Sequence, residues 1–345
     1  MNQLTSNEAE ALAFCRAWQS GQALFTLQTS GSTGTPKPVQ LTRPQMVASA
    51  RLTGQALGLL PGDAALVCLN IRYIAGVMML VRCLELDLPM TIVEPSANPL
   101  ADFDPAQARF AFTALVPLQL QTILEQAPGK LPILNRMKAI LVGGAATSPA
   151  LEQALQQIEA PIYATYGMTE TVSHIALRRL NGPESADYFT ALSGVLIGTD
   201  ERDCLHITAA ASNNQRIQTN DVVEMLDRRR FRLLGRADNI INTGGVKIQP
   251  EPVERALQEL LNQWELRPRL FVAGLPDERL GQRLTAFIEK EELTPEQQKA
   301  LKENLARQLS PYSVPKQFIT VPAFRETPTG KIDRLNTIRQ LSIQS

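Results

Sequence analysis

Histidine is nearly absent: the 345-residue sequence has two, with four cysteines and two tryptophans. Cys15, Cys68, Cys83 and Cys204 are scattered with no C-x-x-C spacing, so neither a zinc set nor a disulfide framework is implied. That usage fits a reduced, cytoplasmic protein. Charge of one sign is not in excess either, since Lys plus Arg and Asp plus Glu number 34 each. No electrostatic case therefore exists for nucleic acid or an acidic membrane. The dense basic run Asp227-Arg228-Arg229-Arg230-Phe231-Arg232 reads as a solvated hairpin tip. Long apolar runs are missing as well. The most apolar window, Ile71 to Val93, is interrupted by Arg72, Arg82, Glu85 and Asp87, which argues against a spanning helix. The amino terminus carries Glu8 and Glu10 and lacks the basic-then-apolar order of a signal peptide.

What is present is alternation. An amphipathic helix is expected over 7–20, with Ala11, Leu12, Phe14, Cys15 and Trp18 at helical spacing. Strand and helix then succeed one another: strand 64–69, helix 76–85, strand 90–94, strand 110–115, helix 117–126, strand 139–142, helix 148–158 and strand 162–164. Such an order argues an α/β domain with a mostly parallel sheet. From Ser193 the segments become short strands separated by turn residues, which predicts a small antiparallel β unit. Beyond Gly235 come helix 250–262, strands 269–274 and 283–289, helix 295–308 and a tail. This α+β set is long enough to fold alone, with a boundary near Arg236 to Asn239.

Chemistry concentrates in a few stretches. Thr29-Ser30-Gly31-Ser32-Thr33-Gly34-Thr35-Pro36-Lys37 follows the apolar run 23–27 and combines hydroxyls, glycines and a lysine, an anion-binding composition suited to a polyphosphate. Pro36 and Pro38 stand where a Walker loop needs glycine and a hydroxyl, so the loop joins two strands instead, Val39-Gln40-Leu41 lying in the second. Read alone it is also an ordinary turn-rich hairpin. Leu141-Val142-Gly143-Gly144-Ala145-Ala146 runs a strand into two glycines, where a flat ring could lie on the backbone or where a strand simply meets a helix. In Tyr163-Ala164-Thr165-Tyr166-Gly167-Met168-Thr169-Glu170-Thr171 an aromatic ring could stack on a purine, a hydroxyl contact phosphate and a carboxylate hold Mg²⁺; a capped helix start with Tyr166 in the core is the plainer reading. Asp221, in a turn Thr219-Asn220-Asp221, could accept from both hydroxyls of a ribose or cap that turn. Thr327-Pro328-Thr329-Gly330-Lys331-Ile332-Asp333-Arg334 is an exposed turn with one lysine.

Taken in order, TSGSTGTPK, YGMTET, the Asp221 turn, GRADNIINTGGVKI from Gly235 and PTGKIDR resemble the motifs of the adenylate-forming superfamily of acyl-CoA synthetases, adenylation domains and luciferases. Within it, Ala114 to Leu120, Ile74-Ala75-Gly76 and Val81-Arg82-Cys83-Leu84 resemble the o-succinylbenzoate-CoA ligases of menaquinone biosynthesis. The likeness covers nearly the whole chain, but those relatives carry a long stretch before the phosphate loop, which here begins at Thr29. Two smaller departures are Asn220, where many relatives have Gly, and Tyr73, where the related ligases often have His.

The resemblance implies a domain over 1–235 that binds nucleotide and acid, and a small mobile domain over 236–345 hinged at Asp238. Thr29, Ser30, Ser32, Thr33 and Lys37 would grip the β- and γ-phosphates of ATP, with Gly31 and Gly34 letting the loop wrap them. Gly143, Gly144, Ala145 and Tyr166 would hold adenine, Asp221 and Arg236 the ribose, Thr169 the α-phosphate and Glu170 the Mg²⁺. Lys331 would bridge the carboxylate and the α-phosphate, while Gly244 and Gly245 would wall a passage for the pantetheine of CoA. Tyr73 would sit at the acid. A second carboxylate on that acid needs a cation or donor, and Arg72, Arg82, His174 and Arg178 are the candidates, with surface or structural salt bridges the plainer reading for the arginines. The implied activity is ATP-dependent activation of o-succinylbenzoate and its transfer to CoA by a monomer or homodimer. Another acid, a carrier-protein thiol, or a non-catalytic nucleotide-binding module are the alternatives.

Overall fold

The computed structural model describes residues 5–28, 38–327 and 331–343. The expected phosphate loop, Thr29 to Lys37, lies outside them. Helix α1 (Ser6–Gln19) starts at a capping box: the Thr5 hydroxyl accepts from the Glu8 N–H, and the Glu8 carboxylate accepts from the Thr5 N–H at 2.9 Å. Strands β1 (Leu24–Gln28) and β2 (Pro38–Thr42) pair antiparallel, so Gln28 and Pro38, the described residues on either side of 29–37, stand opposite each other. Helix α2 (Arg43–Leu57) follows at once, capped by Thr42 with Gln45 and closed by Gly58 at φ 62°.

Then come β3 (Ala65–Val67), α3 (Ile74–Glu85), β4 (Met90–Ile92), β5 (Phe112–Leu115), α4 (Pro117–Gln126), α5 (Leu131–Asn135), β6 (Ala139–Val142), α6 (Pro149–Ala154) and β7 (Ile162–Gly167). Strands β4, β3, β5, β6 and β7 are parallel neighbours. Helices cover both faces, so β3, β5 and β6 are buried at every position and read as near-continuous apolar runs. Thr113 is tolerated among them because its hydroxyl donates to the Leu66 carbonyl at 2.9 Å.

The antiparallel strands are β8 (His174–Arg179), β9 (Phe189–Ala191), β10 (Leu196–Thr199), β11 (Cys204–Thr208), β12 (Arg216–Met225) and β13 (Arg230–Arg236). The short antiparallel strands expected after Ser193 are present as β10–β13. β8 folds back on β7, and the whole set continues one eleven-stranded sheet in the order β10-β11-β12-β13-β9-β8-β7-β6-β5-β3-β4. Strand pattern reveals length and turn spacing but not which free edge a strand joins. A correction concerns Asp221, which lies inside β12 beside a register shift at Val222, not in a turn. Thr219 explains the turn-like composition: its hydroxyl donates to the Leu205 carbonyl at 2.7 Å and accepts from the Asp221 N–H at 3.0 Å, a local arrangement the strand accommodates.

The remaining elements are β14 (Ile241–Thr243), β15 (Val246–Ile248), α7 (Pro250–Gln263), β16 (Leu270–Asp277), β17 (Gly281–Glu289), α8 (Pro295–Gln308), β18 (Gln317–Val321) and α9 (Arg334–Ile343). They build a five-stranded sheet with β18 parallel to β17. Among the described residues, the buried apolar clusters before Phe231 and after Ile241 share no member, so two cores flank the segment that carries Arg236 and Asp238. No described helix is long and apolar enough to cross a membrane.

Candidate functional site

The site has two ends, one carried by strand termini and one by buried helix faces. At the first, β6 stops at Val142 and the chain turns through Gly143 and Gly144. A Cβ on Gly143 would lie 2.4 Å from the Thr165 hydroxyl, and Gly144 has φ 85°, so both positions require glycine. Gly144 and Ala145 are exposed and offer an open backbone ledge.

The neighbouring β7 carries Tyr166, whose ring packs against Phe231 and Phe189 with centroids 5.2 and 5.7 Å away. Its hydroxyl donates to Asp221 Oδ2 at 2.6 Å. Burial first, then the Asp221 charge, pushes the Tyr166 hydroxyl well above its ordinary pKa, so it stays a donor. The other oxygen of Asp221 accepts from Arg236 Nη1 at 3.0 Å, while Arg236 Nε and Nη2 hold Asp238 at 2.8 and 2.6 Å. One guanidinium thus joins the β12 carboxylate to the residue expected as hinge. Lys331 enters the same field: burial and Arg236 lower its pKa, and Asp221 opposes them.

Thr169 and Glu170 occupy a single 3₁₀ turn directly after β7. Thr169 is buried; Glu170 is exposed and makes no hydrogen bond or ion pair among the described residues. Gly244 and Gly245, at φ 59° and 82°, form the two-residue tip of the β14–β15 hairpin, which accounts for both glycines by turn geometry alone.

At the second end stands Arg82 on α3, 2% exposed. Its Nε donates to the Thr53 hydroxyl at 3.2 Å, Nη2 to the Ser173 hydroxyl at 2.6 Å, and Nη1 lies 3.9 Å from Met79 Sδ. His174 closes the ring, with Nε2 3.1 Å from the Thr53 hydroxyl and Nδ1 3.4 Å from that of Ser173. Burial and the Arg82 charge push His174 well below 6.5, so it is neutral, and burial pulls Arg82 down to about 10, so it is charged at neutral pH. No carboxylate pairs with Arg82 among the described residues. An unpaired buried cation costs several kcal/mol even after relaxation. The two ends touch through Gly167, whose Cβ would lie 2.2 Å from the Ser173 carbonyl oxygen.

The structure therefore brings Arg82 and His174 together and leaves the other candidates elsewhere. Arg72 is exposed and spends its charge on Glu10, with Nε at 2.9 and 3.0 Å from the two carboxylate oxygens. Arg178 ties β8 to α6 through Glu152 at 3.2 Å. Half-buried Tyr73 is the residue before α3 and makes no cap bond. Thr53 and Ser173 escaped the sequence reading. Thr53 follows Ser49 by one turn on the buried stripe of Met46 and Ala50, and a polar pair on such a stripe is the signal that points inward.

The sequence model of the AMP-binding enzyme family matches residues 4–198, and that of the AMP-binding enzyme C-terminal domain matches 269–331. The chain belongs to the AMP-binding enzyme family. A family member from Dyadobacter fermentans, solved as an acyl-CoA synthetase (AMP-forming)/AMP-acid ligase II-like protein, is 43% identical, with 99% of this chain and 96% of that one aligned at a TM-score of 0.66. The 2-succinylbenzoate–CoA ligase of Listeria monocytogenes is 26% identical over 96% of this chain and 73% of its own. A probable 2-succinylbenzoate–CoA ligase of Mycobacterium tuberculosis is 29% identical over 92% and 84%. In fold the chain also resembles the Bacillus subtilis o-succinylbenzoate coenzyme A synthetase solved with ATP and magnesium, at a TM-score of 0.74 and 19% identity over 91% of this chain and 69% of that one.

Proposed function

We propose that this AMP-binding enzyme activates 2-succinylbenzoate as its acyl-adenylate and transfers the acyl group to CoA in the cytoplasm. Arg82 carries the reading. A cation buried among Thr53, Ser173 and Met79 with no carboxylate partner suits an acid with a second carboxylate, whose charge would complete the pair. The relatives named as 2-succinylbenzoate–CoA ligases support the same acid.

In the first step a carboxylate oxygen attacks the α-phosphorus and the bond to the β-phosphate breaks, releasing pyrophosphate. Two anions approach one another, so fixed positive charge governs the rate. Lys331 supplies it to the carboxylate and α-phosphate, and Thr29, Ser30, Ser32, Thr33 and Lys37 hold the leaving phosphates. Gly143, Gly144, Ala145 and Tyr166 line the adenine, Asp221 and Arg236 take the ribose, and Thr169 faces the α-phosphate. The unpartnered carboxylate of Glu170 fits a hard cation, and Mg²⁺ bound there would screen the phosphates.

In the second step the CoA sulfur attacks the acyl carbon, the C–O bond to phosphate breaks, and AMP leaves. Lys331 must first withdraw, which a rotation of residues 236–345 about Asp238 would accomplish. The Arg236–Asp238 pair is partly exposed and weak enough to break. Gly244 and Gly245 then border the pantetheine.

Mass spectrometry of a mixture of protein, ATP, Mg²⁺, CoA and 2-succinylbenzoate, beside benzoate, 4-coumarate and a fatty acid, tests the reading. Formation of 2-succinylbenzoyl-CoA with AMP is the expected result. Turnover of another acid alone would overturn the substrate, and no turnover with any acid would overturn the activity.

A further inference from the structure

Lys331 stands on the second of two described segments that pair with each other: Glu326 bridges Ile332, the Thr327 N–H donates to the Lys331 carbonyl at 2.8 Å, and the Lys331 N–H donates to the Thr327 hydroxyl at 3.1 Å. These bonds join the two segments but do not orient them on the molecule. Glu326 paired with Arg269 and Ile332 packed against the Phe271–Phe324 cluster do part of that, and the α7 side is held by Arg334, the first residue of α9 and three positions beyond Lys331. Its guanidinium grips Glu254 of α7 with both nitrogens, Nη1 to Oε1 at 2.9 Å and Nη2 to Oε2 at 3.1 Å. It also lies over the Phe271 ring at 5.7 Å. The Glu254 carboxylate is mostly buried and further fixed by the Val272 N–H at 2.8 Å. A bidentate guanidinium–carboxylate pair sets direction as well as distance.

Glu251, three residues before Glu254 and on nearly the same face of α7, faces the nucleotide end. Glu251 accepts from Asn239 Nδ2 at 2.8 Å, and its Oε2 lies 2.3 Å from where a Cβ on Gly235 would be. The first turns of α7 thus carry contacts to both the segment that follows Arg236 and the helix that follows Lys331. We propose that Glu254 and Arg334 are positioning residues: their fork uses α7 as a rigid spacer to aim Lys331 at the site formed by Asp221 and Arg236. The proposal rests on Lys331 acting in adenylation as argued above.

The test uses the full chain and two assays with 2-succinylbenzoate: single-turnover adenylate formation, and conversion of supplied acyl-adenylate to thioester. Arg334→Gln should slow adenylate formation by about thirtyfold to a hundredfold, because roughly an ångström of misplacement is enough for that. The thioester step should stay within about threefold of wild type. Most tellingly, in a Lys331→Ala background Arg334→Gln should cost less than about twofold more, since a residue that acts only through Lys331 has nothing left to position. Glu254→Gln should follow the same pattern. If Arg334→Gln does not fold, Arg334→Lys keeps the charge, loses the fork, and should show the same split. Equal loss in both steps, or a loss that multiplies with Lys331→Ala, would show a merely structural pair and overturn the proposal. If Lys331→Ala leaves adenylate formation intact, the role of Lys331 falls and this proposal with it; if Lys331→Ala abolishes it and Arg334→Gln does not, only the positioning role falls.

Discussion

The two ends of the site handle charge in opposite ways. At the nucleotide end Arg236 stands between Asp221 and Asp238, and Lys331 feels both signs, so the cluster is nearly balanced before any ligand arrives. At the acid end Arg82 is sealed in a ring of hydroxyls, a thioether and a neutral imidazole with no anion beside it. A balanced, half-exposed cluster is stable alone and exchanges partners readily. An unbalanced buried one is held at a cost and is relieved only by an incoming negative charge. Under the proposed function, the first end would accommodate a ligand that varies during the cycle and the second would select a fixed feature of a single acid.

The largest expected effect lies at the balanced end. Lys331→Met should lower adenylate formation by about a thousandfold while leaving thioester formation from supplied acyl-adenylate. The same variant should be at least as stable near neutral pH. Because the folded-state pKa of Lys331 lies below its ordinary 10.5, the folded chain holds that proton less tightly than the unfolded one, and stability rises with pH through the window between the two values. A lower melting temperature for Lys331→Met at pH about 7 would contradict this. Next, Arg82→Met should reduce kcat/KM for 2-succinylbenzoate by about a hundredfold, roughly 3 kcal/mol, with no loss of melting temperature, since an apolar replacement removes an unpaired buried charge. Asp221→Asn should weaken ATP about tenfold through the lost charge-assisted bonds, read by calorimetry, and should not alter preference among acids. The smallest effect belongs to His174. Its folded-state pKa lies far below 6.5, so below pH 6.5 the unfolded chain takes up a proton that the folded chain refuses, and stability falls as pH falls. His174→Gln should flatten the acid limb of melting temperature against pH; an unchanged slope would place the acid sensitivity elsewhere.

The sequence displays these ends unequally, for a physical reason. Motifs at the nucleotide end are local: glycines at a strand terminus, a polar stretch after a strand, a lysine in a turn, each carrying its chemistry within a few residues. Alternating strand and helix patterns likewise gave the parallel half of the sheet, because burial on both faces dictates apolar runs. Asp221 was misplaced into a turn because Thr219 and Asn220 mimic turn composition; the antiparallel strands were legible, but not the edge they join, because edge pairing leaves no local mark. The acid end depends on contacts between α2, α3 and the start of β8, so Thr53 had no visible link to Arg82 or His174. Arg72 and Arg82 looked alike as isolated letters. The distinguishing signal was the company of Arg82 on α3, where Gly76 through Cys83 are all buried and a lone charge must have a purpose.

The measurement that bears most directly on this assignment compares two acids and two proteins: kcat/KM for adenylate formation from 2-succinylbenzoate and from 3-benzoylpropionate, which lacks the ring carboxylate, in wild type and in Arg82→Met. The account predicts that wild type prefers the diacid by about a hundredfold and that Arg82→Met erases the preference by losing activity on the diacid alone. An equal loss on both acids, or a preference that survives the substitution, would contradict the assignment of Arg82 to the second carboxylate.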